Sequence, residues 1–416
     1  MIKVQKRDGS FEDFNTQKIK IAVENTMREV GPPHVDPDVS AKLSDQVYLH
    51  FTDSVEVGGI LSVDDIHVMV ENTLMDMKLF EVARKYITYR DRNKPDILRK
   101  RELYKPFEYP ELNKYLDAIQ ESYWIHTEFN YNGDIQDFKV NLEPHQRECI
   151  RRCMLAISTV EVKVKDLWAK IGDRFPKPEI AEVGITFGES EVRHARAYSK
   201  LLELLGLNSD FEEVWEVPAI KKRMEYLGKA MAGTNSDSIE DYIETLLYFT
   251  LFVENVSLFS QFLIISAFNK EDGVLKGMSN AISATSLEEN LHAMFGADLI
   301  NVLREERPSI FTEELGDRVR QMTMQSFAAE SAIIDWIFEK GDDGRKGEVL
   351  EYIKNRYNTG LESCGFDSCF EVDSELLKAT GWFDLQVSAT SHFDFFAKRS
   401  TNYTKKSQSF TGDDLF

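Results

Sequence analysis

Apolar residues recur along this chain with two different periods, and the change from one to the other divides it. Near the N-terminus, residues 3–14 (KVQKRDGSFEDF) read as strand, Asp8-Gly9 turn and strand, the short-range signature of a hairpin. The spacing then shifts to three and four. Asn15 can cap a helix on which Ile19, Ala22, Val23 and Met27 share one face, and Gly31-Pro32-Pro33 stops it. A second helix is predicted over residues 39–51. Ser62 with Asp65 three residues later opens a third, SVDDIHVMVENTLM, in the manner of a capping box, and FEVARKYITYRDR makes a fourth. Residues 1–92 therefore read as a small α/β module.

Residues 93–110 (NKPDILRKRELYKPFEYP) are polar, basic and broken by three prolines, the composition of a linker. From 111 to 397 the helical period dominates and strand alternation is nearly absent, so a large, mainly α domain is predicted. Residues 398–416 are polar until Leu415-Phe416 and are predicted to be a flexible tail able to dock to a partner. One stretch, residues 245–269, has the length to span a bilayer. Glu254 in its middle, with Asn255, Ser257 and Gln261 nearby, makes a buried helix of a bundle the better reading, and no membrane association is expected.

Glu254 also introduces the chemistry, because a lone carboxylate in an apolar helix must be paired, protonated or bound to a cation. Two other helical segments each offer Glu-x-x-His on one face: Glu191 with His194, followed one turn later by Tyr198, and Glu289 with His292. Each is preceded by a helix with a candidate inward carboxylate, Glu254 before Glu289 and Glu161 before Glu191, with Asp166 as the alternative to Glu161. Four carboxylates and two imidazoles suit two divalent iron or manganese ions, and two Glu plus two Glu-x-x-His helices are the ferritin-like arrangement for holding them.

The formal charge of -21 argues against nucleic-acid binding, which needs a basic face. Cys149/Cys153 and Cys364/Cys369 have no zinc-knuckle spacing and no secretory leader is read, so free thiols in a reducing cytoplasm are expected. In the N-terminal module, Lys6 and Arg7 beside the turn and Lys18 on the next helix make a cationic pocket suited to a triphosphate, although there is no Walker loop or GxGxxG.

Three blocks of that module, VQKRDGSFEDFNTQKI, SVDDIHVMVE and ARKYITYRDR, resemble the ATP-cone, the nucleotide-sensing domain of ribonucleotide reductases. The resemblance implies that Val4, Lys6, Arg7, Glu12, Asn15, Lys18, Ile19 and His67 surround a nucleotide, with Arg92 as a further candidate. ESEVRHARAY, VENVSLFSQF, SLEENLH and SYWIHTEF resemble the radical-generating small (beta) subunit of class I ribonucleotide reductase. That resemblance implies the metal ligands Glu161, Glu191, His194, Glu254, Glu289 and His292. It places Tyr198 at the radical tyrosine, Trp124 at the start of a radical relay, Glu288 between that tryptophan and a metal-bound histidine, and Tyr403 on the tail.

Two departures from the family pattern, Glu161 where many members have Asp and Leu258 where many have Phe, touch the metal pocket. They leave iron or manganese open, with a slight preference for manganese, and leave open whether the oxidant sits on Tyr198 or on the metals. The implied protein is a homodimer working with a large (alpha) subunit, activated by ATP and inhibited by dATP through a larger assembly. The alternative is another ferritin-like dimetal oxidase or hydroxylase under nucleotide control. A nucleotide-responsive repressor would want a zinc ribbon and a basic surface, and the sequence has neither CxxC nor the charge.

Overall fold

The computed structural model describes residues 2–6, 11–32, 34–54, 59–92, 95–101, 103, 105, 107–342 and 344–388, without the side chains at 53–54, 91–92, 161–165 and 388. Arg7 and Tyr403, and the side chains of Glu161 and Arg92, therefore lie outside the described residues. The chain forms two compact units, residues 1–113 with 175–180 and residues 114–174 with 181–416.

The first unit is built on a three-stranded sheet in the order β2-β1-β3. Strand β1 (Lys3–Gln5) pairs antiparallel with β2 (Phe11–Asp13), as the hairpin signal predicts, with Val4 opposite Glu12. Its other edge pairs in parallel with β3 (Ile60–Ser62), which the sequence pattern did not reveal. Three residues are too few to show a period of two. Four helices cover the sheet: α1 (Thr16–Val30), α2 (Pro37–Ser54), α3 (Val63–Asp76) and α4 (Phe80–Arg92). Asn15 caps α1 by accepting from the Gln17 N–H at 2.9 Å, and α1 ends at Gly31, whose φ of 89° a side chain would resist. The Ser62/Asp65 capping box is formed in full. Val4, Ile19, Val23, Leu43, Val47, Leu61, Val70, Leu74 and Val82 close a single core.

Residues 108–109 are not a free tether, despite their linker-like composition. The Glu179 carboxylate accepts from the N–H groups of Glu108 and Tyr109 at 2.6 and 2.9 Å, and the buried Lys177 ammonium pairs with Glu108. Glu108 and Tyr109, which read as linker in isolation, are thus held by residues some seventy positions along the chain.

The second unit is helical. After α5 (Pro110–Glu121), its long helices are α6 (Pro144–Ala169), α7 (Pro178–Leu205), α8 (Pro218–Ala230), α9 (Ile239–Tyr248), α10 (Phe259–Asp272), α11 (Lys276–Glu306), α12 (Glu313–Ile337), α13 (Arg345–Ser363) and α14 (Ser374–Ser388). Helices α9 and α10 are joined by a π-helical segment, Phe249–Ser257, which widens the helix around Glu254. Among the described residues this is the one helix long and apolar enough to cross a membrane, yet 94% of its most apolar window is buried in the bundle, so it is a core helix. It packs against α11 and α13.

Helix α11 is started from outside itself. Leu275 at φ 56° turns the chain, and the buried Asp134 carboxylate accepts from the N–H groups of Gly277 and Met278 at 2.9 and 2.7 Å. A negative group at a helix N-terminus satisfies the unpaired N–H groups and complements the helix dipole. A Cβ at Gly277 would sit 2.3 Å from the Asn130 carbonyl oxygen, so only glycine lets the helix begin here.

Candidate metal centre

Three segments of the second unit bring their acidic and imidazole groups to one buried point. Helix α7 supplies Glu191 and His194, α11 supplies Glu289 and His292, and the π-segment supplies Glu254; each is 2% exposed or less. Ligand atoms of Glu191, Glu254, Glu289 and His292 all lie within 4.8 Å of one another. Glu191 reaches both imidazoles, 3.0 Å to His292 Nδ1 and 3.5 Å to His194 Nδ1. Glu289 does the same, 2.9 Å to His194 Nδ1 and 3.4 Å to His292 Nδ1. Glu254 reaches His292 Nδ1 at 3.4 Å. The pattern is a pair of imidazoles spanned by two carboxylates, with a third carboxylate on the His292 side.

Both rings are held from behind. His194 Nε2 lies 2.7 Å from Glu288 Oε2, a carboxylate that can only accept, so Nε2 carries the proton. Ser190 Oγ donates to the Phe187 carbonyl at 2.8 Å, so its 2.9 Å contact with His292 Nε2 must be one in which the ring donates. Each Nδ1 is thereby turned to the cluster. One oxygen of Glu254 is likewise taken, by the Trp168 indole N–H at 2.7 Å.

The donors fit a bound cation pair better than they fit one another. Both oxygens of Glu191, Glu289 Oε1 and the Nδ1 atoms of His194 and His292 are buried without a hydrogen bond, though they approach to about 3 Å. Such orphaned groups cost free energy unless something else satisfies them. The electrostatics agree. Burial, and then the charges of Glu289 and Glu191, push the Glu254 carboxyl well above the usual range. Burial opposes the charged form of both histidines, but the surrounding carboxylates outweigh it and hold each above the ordinary imidazole value. Burial also opposes ionisation of Glu289, and the two histidines overcome it, drawing that carboxyl down.

The remaining expected residues fall in several places. Tyr198 is buried one turn past His194. Trp124 is buried and stacked on His194, centroids 5.8 Å apart at 14°. Glu288 accepts from Arg193 at 3.0 and 3.1 Å and from Ser122 at 3.2 Å, besides holding His194, but it does not bond Trp124, whose indole N–H has no hydrogen-bond partner. The Trp124 ring meets the cluster by stacking on His194, while Arg193 donates both to the Trp124 carbonyl at 3.2 Å and to Glu288. Position 161 lies on α6, and its side chain is outside the described residues. Asp166, the alternative, is excluded: its side chain is 75% exposed and pairs with Lys170. Leu258 is buried at the residue where the π-segment returns to α-helix.

Trp168, Ser190, Arg193 and Phe187, whose ring centroid is 4.2 Å from that of His292, were not singled out from the sequence. Ser190 and Arg193 each directly precede a cluster residue, and Trp168 lies seven residues past position 161. Adjacency and helical phase were the available signals, but neither distinguishes them from core residues.

In the first unit, Val4 and Ile19 are buried in the core. Lys6 and Lys18 converge on Glu12, at 3.1 and 2.6 Å, and draw its carboxyl below the ordinary range, Lys18 most strongly. Asn15 is committed to the α1 cap. His67 Nδ1 lies 2.9 Å from the Tyr86 hydroxyl, whose ionisation burial suppresses. Lys6, Lys18 and Glu12 thus form a paired cluster, and Arg7, the other member of the expected cationic pocket, lies outside the described residues.

Among known families, the one described as "Ribonucleotide reductase, small chain" matches residues 101–376, and the ATP cone domain matches residues 2–95. A probable ribonucleoside-diphosphate reductase small subunit of Invertebrate iridescent virus 6 is 25% identical over 359 residues, covering 77% of this chain and 98% of that protein. Of solved structures, the ribonucleotide reductase R2 subunit from Clostridium botulinum superposes with a TM-score of 0.61 at 18% identity, over 67% of this chain and 88% of that one. The dimanganese(II)-NrdF of Streptococcus sanguinis gives 0.57 at 15% identity, over 70% and 100%. At these identities the structural likeness speaks for the helical fold alone.

Proposed function

This chain belongs to the ribonucleotide reductase small-chain family and carries an ATP cone at its N-terminus; on that footing we propose that it is the radical-generating partner of a separate large subunit in a ribonucleoside-diphosphate reductase, under nucleotide control. The observation that carries the reading is the buried pair of imidazoles spanned by Glu191 and Glu289, with its unpartnered oxygens and nitrogens. Glu161, Glu191, His194, Glu254, Glu289 and His292 would hold two divalent ions of iron or manganese. The centre, once activated by oxygen or a reduced oxygen species, supplies a one-electron oxidant.

The chain's own residues then orient, insulate and conduct. Glu288 and Ser190 fix which ring nitrogen each histidine offers, the role that such groups play around bound metals. Phe187, Trp168, Phe249 and Phe295 pack edge to face and exclude water from the His292 side. Arg193 offsets the Glu288 charge. Trp124, stacked on His194, is the exit for the electron hole, with Tyr403 on the tail passing it to a cysteine of the large subunit. Tyr198 is the residue on which an oxidant could be stored within the chain.

The proposed organisation assigns residues 1–92 to the cone, 93–110 to a connecting stretch, 111–397 to the radical-generating bundle and 398–416 to the docking tail, in a cytoplasmic homodimer. The cone pocket of Val4, Lys6, Arg7, Glu12, Asn15, Lys18, Ile19, His67 and Arg92 would bind ATP or dATP, with dATP driving a larger, inactive assembly. A different dimetal oxidase on the same bundle would turn over without a partner. Elemental analysis after expression with both metals tests the centre: about two ions per chain are expected, and an empty protein that stays empty on reconstitution would overturn it. Gel filtration with dATP, ATP or neither tests the regulation, an unchanged size refuting it.

A further inference from the structure

The π-helical segment that carries Glu254 ends at Ser257, and buried polar groups from three helices converge on that residue. The Tyr226 hydroxyl of α8 lies 2.5 Å from Ser257 Oγ and 2.8 Å from Glu330 Oε1 of α12. Gln261 of α10 donates its amide N–H to the Ser257 carbonyl at 2.9 Å, while its oxygen accepts from Arg223 at 3.2 Å. Arg223 closes the set, with Nε 3.1 Å from Glu330 Oε1, a second nitrogen on Glu330 Oε2, and a third donating to the Ala156 carbonyl of α6 at 3.1 Å. Ser257 Oγ also lies 2.8 Å from the Phe252 carbonyl, five residues back across the wide turn. Arg223, Ser257, Gln261 and Glu330 are fully buried and Tyr226 is 3% exposed.

None of these groups touches the carboxylate–histidine cluster, and their cost is large. Taking an arginine and a glutamate out of water offsets most of what their attraction returns, so a buried pair is a weak source of stability. What it supplies is direction. A π-turn holds one more residue than its neighbours, so the ladder is out of step where it returns to α-helix, and that junction needs partners from outside. Ser257 is the junction, and it lies within one turn of Glu254. From the other side, Trp168 holds Glu254 Oε1 directly. With one oxygen held there and the backbone fixed at Ser257, only Glu254 Oε2 is left to face His292.

We propose that Arg223, Glu330, Tyr226 and Gln261 form a positioning brace that sets the register of the π-segment through Ser257 and so aims the Glu254 carboxylate into the metal centre. The brace rests on the reading of Glu254 as a metal ligand. Tyr226→Phe removes one hydroxyl and keeps the ring, and Ser257→Ala removes the atom it meets. The full-length variants are titrated with manganese(II), and the electron paramagnetic resonance spectrum of the loaded protein and the thermal midpoint of the metal-free protein are recorded alongside. Both variants are expected to bind one of the two ions about tenfold more weakly, the low end for groups that hold a ligand from behind, with an altered spectrum.

Glu254→Ala, as the reference, is expected to lose that ion altogether. Wild-type affinity and spectrum in Tyr226→Phe and Ser257→Ala, with only the melting point lowered, would make the network structural and overturn the brace. Wild-type metal binding by Glu254→Ala would instead overturn the ligand reading, and the brace with it. Should Tyr226→Phe fail to fold, Ser257→Ala decides alone.

Discussion

The chain carries two charged clusters built on opposite terms. In the cone, Glu12 shares its carboxylate between Lys6 and Lys18, and each lysine is roughly half exposed. In the bundle, three carboxylates and two imidazoles are fully buried, and several of their atoms have no hydrogen bond at all. An exposed, paired cluster loses little when its ligand is absent, because water and neighbours serve it. A buried, unpaired one is costly unless filled. On the proposed function, the cone would bind its nucleotide reversibly, exchanging one set of partners for another, whereas the bundle site would stay occupied.

The sharpest way to break this contrast is to remove a member of each. His292→Ala or Glu191→Ala is expected to drop metal content from about two ions per chain to one or none, and to abolish radical formation. Retention of both ions, measured by elemental analysis, would mean that the cluster is not the site. In the cone, Lys18→Glu reverses a charge beside Glu12 and is expected to weaken dATP binding by tenfold or more while metal content stays at the wild-type value. Calorimetric titration reads the first and elemental analysis the second. Loss of metal in Lys18→Glu would end the picture of two independent sites.

Acidity separates the clusters further. His194 and His292 have their values raised in the metal-free fold, so their contribution to stability is complete below the unfolded histidine value of about 6.5 and is lost as pH climbs through the raised folded values. Glu254, also raised, keeps its proton to above the ordinary carboxylate value. The metal-free chain should thus melt lower as pH rises above about 6.5, while manganese(II) affinity increases because fewer protons must be displaced. Thermal melts and titrations in buffers of differing ionisation enthalpy check both slopes. A metal affinity that is flat with pH would contradict the raised values of His194, His292 and Glu254. Glu12, depressed by its lysines, has the opposite sign: its contribution is present above the ordinary carboxylate value and fades only as pH falls through the lowered one.

How far each cluster was legible in the sequence follows the same divide. Glu191/His194 and Glu289/His292 declare themselves by spacing, and Glu254 by standing alone among apolar residues. Helical periodicity likewise revealed α1, α3 and α4, and capping chemistry revealed where α1 and α3 begin. What escaped was set by contacts between distant positions. Strand β3 exists because β1 offers an edge, not because three residues alternate. The π-segment differs from an α-helix by one residue per turn, which no composition rule detects. Trp168 reaches Glu254 across 86 positions, and Arg223 reaches Glu330 across 107. The cone's lysines were visible, but Glu12's role in neutralising them became visible only once the hairpin placed them together.

The smallest expected effect is also the cleanest control on the larger ones. Asp166 sits five residues from Glu161 on α6 and was the other acidic candidate for the first ligand. Its side chain is three-quarters exposed and faces Lys170 at 3.6 Å, an i,i+4 pair on a solvated helix surface. Exposed pairs of this kind contribute about 0.3–0.5 kcal/mol, since water screens the attraction and two long side chains lose freedom to make it. Asp166→Ala should therefore shift the melting point by a degree or so at most and leave metal content at the wild-type value. Glu161→Ala, five residues earlier on the same helix, should lose an ion. Because the two substitutions alter the same helix by the same chemistry, a difference between them isolates direction from charge. Equal metal loss in both would mean that α6 contributes its negative potential and not a ligand.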